Sequence, residues 1–455
     1  MTTIAQQFAA KIHQLTWSDL PPEAVHWAKV GILDTVGVTL AGAPEDCVRI
    51  LLETPGVGEA AGPCLVFGRA MNRVSALDAG LINGVSSHAL DFDDVNNNIG
   101  GHPSVPLVPA VFAFGEMLGR SGAEAILAYV VGFEAETRLG RAVNFHHYEK
   151  GWHPTATLGI FGTVAASARL LNLSLDETAT ALAMAVSLAS GVKANFGTMT
   201  KPLHVGHSVR NGMLAALLAG QGMTANLSAF EHEQGFFEVF NGAGTYDAER
   251  LFADWANPLD VVDPGPGLKQ FPCCGSTHAG INAMLEMVRD DGLRAEDVAT
   301  IRVLTNPRRL PHTNNPDPRS GLEAKFSMHY VVAQALNEGR VGLDHFEAAA
   351  YDEPEVRAIM ARVEVGEHPE MGRDSGNDFG AEVFVATNDG GNLSARIDHA
   401  VGRGPANPLS RDELFAKFAD CAGRVLPEDA VKTAFETLQQ LDEVADINDV
   451  TRILA

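Results

Sequence analysis

The chain is poor in patterned cysteine. Its five cysteines, Cys47, Cys64, Cys273, Cys274 and Cys421, form no CxxC pair and no even framework. A disulfide scaffold is therefore not expected, and an iron–sulfur cluster lacks the placed thiolates it needs. A reducing, cytoplasmic setting is the simplest expectation. Positive charge is scarce too: Lys and Arg number 33 against 57 Asp and Glu, a formal net charge of −24. No basic field exists to attract nucleic acid or an anionic membrane, so neither is an expected partner. An anionic substrate would need a local pocket of Lys, Arg and His. No run reaches the roughly 18 apolar residues of a membrane span. The opening "MTTIAQQFAAKIHQL" has no basic n-region and no unbroken apolar stretch, so no secretory leader is expected. Phosphate cradles (GxxxxGKS/T, GxGxxG), the GxSxG elbow and HExxH are all missing.

What is present is ample. The 455 residues, 46% apolar and 20% charged, leave room for a large core and two or three domains. Up to about residue 260 the chain reads mostly as helix. Thr3 with Gln6 makes a capping-box pattern. "PPEAVHWAKVGILDTVGVTLAG" opens on Pro and stops at Gly42. "SALDAGLINGVSSHAL" and "TATLGIFGTVAASARLLNL" are rich in Ala, Gly and Ser, which lets helix backbones approach closely; both are expected as central helices packed on all sides. No strand alternation is visible before about residue 297. Beyond it, "ATIRVLT" and "ARVEV" read as strands, "GLEAKFSMHYVVAQALNEG" as one helix ending at Gly339, and "AEVFVATNDGGNLSARID" as a hairpin. Ser410 with Glu413 caps a final helical segment that includes "PEDAVKTAFETLQQL". The expectation is a mainly α protein. A large, discontinuous all-helical domain would span 1–266 plus 398–455, with a smaller α+β domain at 267–397.

Four stretches concentrate reactive groups in apparent loops or at helix ends. "HALDFDDVNNNIGGHPSVP" holds His88, Asp91, Asp93, Asp94 and His102. "HHYEKGWHPTATLG" holds His146, His147, Tyr148 and His153. "NFGTMTKPLHVGHSVRNG" holds Lys201, His204, His207 and Arg210, and "LKQFPCCGSTHAG" holds Lys269, Cys273, Cys274 and His278. Each has a bland reading. His88 would be a core or capping histidine, Asp93 and Asp94 turn caps, Lys201 a surface lysine and the cysteine pair small hydrophobes. The Ser104 hydroxyl is expected to cap the helix that follows it. His88, Asp91 and His102 could ligate a metal, but their spacing matches no HExxH, EF-hand or zinc-finger pattern, so no metal is expected.

Taken together and in order, "DFDD…GHPS", "GWHPT", "NFGTMTKPLH", "FPCC…TH" and "EAKFSMHY" resemble the MmgE/PrpD family over essentially the whole chain. That family includes 2-methylcitrate dehydratase, cis-aconitate decarboxylase and iminodisuccinate epimerase. The resemblance implies a helical domain and a smaller α+β domain, a homodimer, and an active site in the cleft between domains without metal or organic cofactor. Carried over by motif, the site would comprise Asp91, His102, His153 and Lys201, with Lys269, His278 and Tyr330 binding substrate. His204 joins the binding groups, and Tyr148, just before "GWHP", is a further acid or base. Val95 stands where members often carry Thr after "DFDD", which counts against decarboxylation in particular.

The substrates implied are di- or tricarboxylates, reacting at a carbon beside a carboxylate. Removing a proton there builds an enolate-like charge that needs nearby cations and shielding from water. Histidine starts closest to the neutral pKa such proton transfer requires. His102, oriented by Asp91, is expected as one acid–base group, with Lys201 opposing it or clamping a carboxylate. His153 would protonate a leaving hydroxyl or recharge the carbon. A cofactor-independent hydro-lyase on a 2-methylcitrate-like substrate comes first, epimerisation of an amino- or imino-dicarboxylate second, and decarboxylation of cis-aconitate third.

Overall fold

The computed structural model describes residues 2–69, 73–372 and 379–455, which divide into two compact units. One is Met1–Leu268 with Cys421–Ala455; the other is Lys269–Asp420.

The first unit is helical. Thr3 and Gln6 form the expected capping box, and Pro22 opens a helix, Pro22–Gly42, that is buried along most of its length. The central helices meet where side chains vanish. Gly84 in Ala76–His88 faces Gly206 in Thr200–Gly220, and a Cβ on Gly206 would lie 2.4 Å from the Leu81 carbonyl oxygen. Gly132 and Gly162 pair likewise between Gly122–Val143 and Gly159–Leu171. These approaches have a consequence for chemistry. His88 ends one helix of the first pair and Lys201 lies in the first turn of the other, so the crossing sets their separation. The C-terminal helices pack onto this unit: Lys29 reaches Asp442 at 2.7 Å, and the Ile447 N–H donates to the Arg120 carbonyl. A short strand, β1 (Ala61–Cys64), bridges Val74. The sequence reading has no strand here, because Ala-Gly-Pro-Cys carries neither alternation nor β-branching.

The second unit holds a sheet of β2 (Val298–Thr305), β3 (Val363–Glu367), β4 (Ala381–Thr387) and β5 (Asn392–Ile397). Its order is β3-β2-β4-β5, with β2 parallel to β3 and the other pairs antiparallel. Ile301 and Val303 of β2 and Val383 and Val385 of β4 join one core with Ile281, Met284, Val331 and Val332 from the helices His278–Asp290 and Met328–Glu338. The expected hairpin is β4–β5, turned at Gly390 with φ +90°. The expected single helix is instead two. A turn, Gly321–Ala324, ends at Lys325, and Ser327 restarts the helix by accepting the Tyr330 N–H at 3.1 Å. Residues 398–420 belong to this unit, where the sequence reading returned them to the helical domain. Arg403 donates to Gly275, Gln270 to Glu413, and the Leu343 N–H to Asp420. The boundary thus falls inside the helix Arg411–Ala422.

Because the Gly206 Cβ would meet backbone, Gly206→Ala should lower the urea unfolding free energy by about 1–3 kcal/mol. Gly372→Ala, which meets nothing within 4 Å, should change it little. Equal midpoints for both variants would refute the close-crossing account.

Candidate active site

The loop after Ala76–His88 is built to return on itself. Asp91 has φ +55°, a left-handed conformation that a non-glycine residue adopts at some cost. Asn96 turns the tip, its Oδ1 accepting the Asn98 N–H at 2.8 Å, and the Asn96 N–H donates to Gly101. Val95 is held by paired backbone bonds to Gly267, both 2.8 Å. Asp94 closes the base: it accepts the Ser104 N–H at 3.2 Å and the Ser104 hydroxyl at 2.6 Å. The Ser104 hydroxyl also meets Tyr129 Oη at 2.7 Å. The expectation that this hydroxyl caps the next helix is therefore corrected. The Ser104 carbonyl, not its side chain, takes the Leu107 and Val108 N–H groups.

This loop gathers a His–Asp–His group. Asp93 is wholly buried, and one of its oxygens lies 2.7 Å from His88 Nδ1 and 3.0 Å from His102 Nδ1. His102 Nε2 is 3.5 Å from Asp91 Oδ1, and Lys201 Nζ donates to that same oxygen at 2.8 Å. Thr155, from the "GWHPT" stretch, accepts the His102 backbone N–H at 3.1 Å. His153 stacks on His88 with centroids 5.5 Å apart, and its Nδ1 is 3.3 Å from His204 Nδ1. Phe196 packs its ring edgewise to His153 and lies 5.2 Å from the Lys201 ammonium.

The charges follow from burial and neighbours. Burial pushes the Asp93 carboxyl up, but the imidazoles of His102 and His88 outweigh it and hold the group well below the usual carboxylate range. Burial lowers His88 to about 4, against the opposing pull of Asp93. His153 falls well below the usual histidine range, by burial first and then by His88 and Lys201. It is a neutral imidazole near pH 7. Asp94 rises to about 8, chiefly by burial, with Asp34 and Asp93 adding repulsion against the Ser104 hydrogen bonds. Ligand atoms of His88, Asp91, Asp93 and His102 lie within 4.8 Å of one another and could hold a cation. Lys201 already places an ammonium at Asp91, and Asp93 already faces two imidazoles.

Of the residues expected from sequence, Asp91, His102, His153, Lys201 and His204 meet here. Tyr148 does not join them. It is exposed, and the Lys193 ammonium sits 3.3 Å over its ring. Lys269, His278 and Tyr330 belong to the other unit. Lys269 and His278 are buried there, His278 opening its helix with Phe271 edgewise at 5.3 Å. Tyr330 has no exposed surface; its hydroxyl donates to the His345 carbonyl and receives Gln334 Nε2 at 3.2 Å. Its ring packs in the core of that unit. Asp93 is the residue the sequence reading passed over. His102 lies nearer to it than to Asp91, the expected orienter.

Comparison with known proteins covers nearly the whole chain. Residues 6–249 match the MmgE/PrpD N-terminal domain and residues 271–443 the MmgE/PrpD C-terminal domain. A cis-aconitate decarboxylase of Homo sapiens is 30% identical over 100% of this chain and 95% of its own length. One from Aspergillus terreus is 26% identical over 97% of this chain and 93% of its own.

The raised Asp94 carboxyl gives a pH signature. Its folded pKa lies above the unfolded value, so its contribution to stability is full below the unfolded value and is lost as pH rises through about 8. Between pH 6.5 and 8, wild-type stability should fall more steeply than that of Asp94→Asn, by roughly 1 kcal/mol per pH unit. Parallel slopes in urea titrations across that window would refute a protonated Asp94.

Proposed function

This chain belongs to the MmgE/PrpD family, and from that premise we propose that it is a lyase acting on a small polycarboxylate, with decarboxylation of cis-aconitate as its leading reaction. The observation that carries the reading is His102 between the carboxylates of Asp93 and Asp91, with the Lys201 ammonium on the latter. A proton-transfer group and a cation thus stand together in a chain of net charge −24. The cis-aconitate decarboxylases among the relatives bring cis-aconitate to the front, ahead of the hydroxy-tricarboxylate expected from sequence and in spite of Val95.

The chemistry supports that order. Dehydration needs a second protonated group beside the leaving hydroxyl. His153, expected for that task, is held neutral by burial and its positive neighbours. Decarboxylation asks less. The bond to the departing carboxylate breaks, carbon dioxide leaves, and the electron pair stays on carbon, spread toward a remaining carboxylate. His102 delivers one proton to the resulting carbanion. Lys201 has three N–H donors, one of them used on Asp91, and the others can meet substrate oxygens as charge develops. The neutral imidazoles of His88 and His153 back this group without adding competing charge.

A homodimer is part of the same reading. Val192, Met199 and Leu203 are exposed apolar side chains in the first unit that a second copy would cover. Sedimentation equilibrium should return twice the 48.3 kDa chain mass, and a monomer at micromolar concentration would refute it.

The reaction itself is tested by proton NMR in D2O with cis-aconitate, 2-methylcitrate, citrate and iminodisuccinate stereoisomers. Deuterium in a product that has lost carbon dioxide is expected from cis-aconitate. Loss of hydroxyl with a new alkene signal from a hydroxy acid would replace decarboxylation by dehydration. Stereoisomer exchange without a new alkene would replace it by epimerisation. His102→Ala should lower kcat by about 10²–10⁴-fold; near-wild-type turnover would remove His102 from the mechanism.

A further inference from the structure

One half-buried ring, Phe196, meets two side chains of the first unit's site. Its centroid lies 4.9 Å from that of His153, with the two planes at 85°. The Lys201 ammonium lies over it, 5.2 Å from the centroid. Among the described residues no hydrogen bond joins Lys201 to His153: Lys201 Nζ donates to Asp91, and His153 Nδ1 faces His204. The ring is what the two share.

The chain around Phe196 is pinned to the segment that carries His153. Gly191, at φ +125°, accepts the His153 backbone N–H at 3.1 Å, and a Cβ there would fall 3.3 Å from His204 Cγ. The Lys193 N–H donates to the Gly151 carbonyl at 2.8 Å. Its ammonium donates to the Tyr148 carbonyl at 3.1 Å while lying over the Tyr148 ring. Val192 bridges Trp152, and the Phe196 N–H returns to the Lys193 carbonyl at 2.9 Å. Beyond it Gly197, at φ +80°, turns the chain toward the helix Thr200–Gly220, whose first turn holds Lys201. One short segment thus sets ring and ammonium together.

A ring face is electronegative and attracts a cation within about 6 Å, most strongly where water is excluded. Lys201 is therefore held from two sides, by the Asp91 carboxylate and by the Phe196 ring. Its remaining donors are aimed before a ligand arrives, which spares the ligand the cost of ordering a flexible lysine. Apolar bulk alone at this position would shield the ammonium but not attract it.

We propose that Phe196 is a positioning residue that holds the Lys201 ammonium by its ring face and so sets the affinity of the site for a substrate carboxylate. The role rests on the reading above in which Lys201 meets substrate oxygens. Proton transfer stays with His102, so the ring acts on affinity and not on the chemical step.

The test replaces Phe196 by phenylalanines carrying one, two or three ring fluorines, incorporated at this position alone. Fluorine drains the ring face of negative charge and barely changes its shape, so a merely structural role would leave the series flat. Calorimetric binding of tricarballylate, a saturated tricarboxylate, to the full-length protein should weaken stepwise along the series, by about 3- to 30-fold in all. KM for whichever panel compound reacts should rise in parallel, with kcat near wild type. Phe196→Leu, which keeps apolar bulk without a ring face, should bind as weakly as the most fluorinated protein. Equal affinities along the fluorinated series would overturn the role of the ring, whatever Phe196→Leu does, and leave the proposed reaction standing. Stepwise weakening with no turnover of any panel compound would support the role and overturn the reaction. Absence of tricarballylate binding in the wild-type protein would overturn the positioning role.

Discussion

One buried carboxylate organises the site. Asp93 is sealed from solvent, and a lone ionised acid there would be costly. Two imidazoles converge on it, and their attraction keeps it charged. In return it fixes where His88 and His102 sit. His88 then supports His153 by stacking, and His102 reaches outward to the partly exposed Asp91 and so to Lys201. Without Asp93, His88 would be a desolvated ring with no carboxylate beside it.

The fold exists around that group as a set of fixed separations. The Gly84–Gly206 crossing brings the helix ending at His88 against the helix whose first turn holds Lys201. Asp94 and Ser104 clasp the loop on either side of Asp93 and His102. Asp94 is the counterpart of Asp93: adjacent in sequence and equally buried, but burial, with repulsion from Asp34 and Asp93, pushes it to about 8 against the Ser104 hydrogen bonds, where two imidazoles hold Asp93 down. One ionised and one neutral aspartate thus follow from what each faces. The neutral member can hold the loop without adding a second negative charge beneath the site.

Much of this was legible in the sequence. The capping pairs Thr3/Gln6 and Ser410/Glu413 form as read, and the Ala/Gly-rich segments are the central helices. The α+β texture after residue 297 is the four-stranded sheet. Other features depend on contacts that a linear pattern does not carry. Lys325–Ser327 interrupt an apolar run that has full helical periodicity, because Ser327 caps the helix anew. Which aspartate of "DFDD" faces His102 turns on the left-handed Asp91, which redirects the chain before Asp93. Tyr330 reads as a binding residue by motif, yet its place three residues after the Ser327 cap sends it into the core.

The most direct measurement of the central claim is carbon dioxide release from cis-aconitate by Asp93→Asn, with circular dichroism and urea unfolding as controls. The side chain keeps its size and loses its charge. If Asp93 orients His102, release should fall by at least about 10²-fold while cooperative unfolding is retained. Release at the wild-type rate by a folded Asp93→Asn protein would contradict the account, because the carboxylate on which the arrangement depends would then be dispensable.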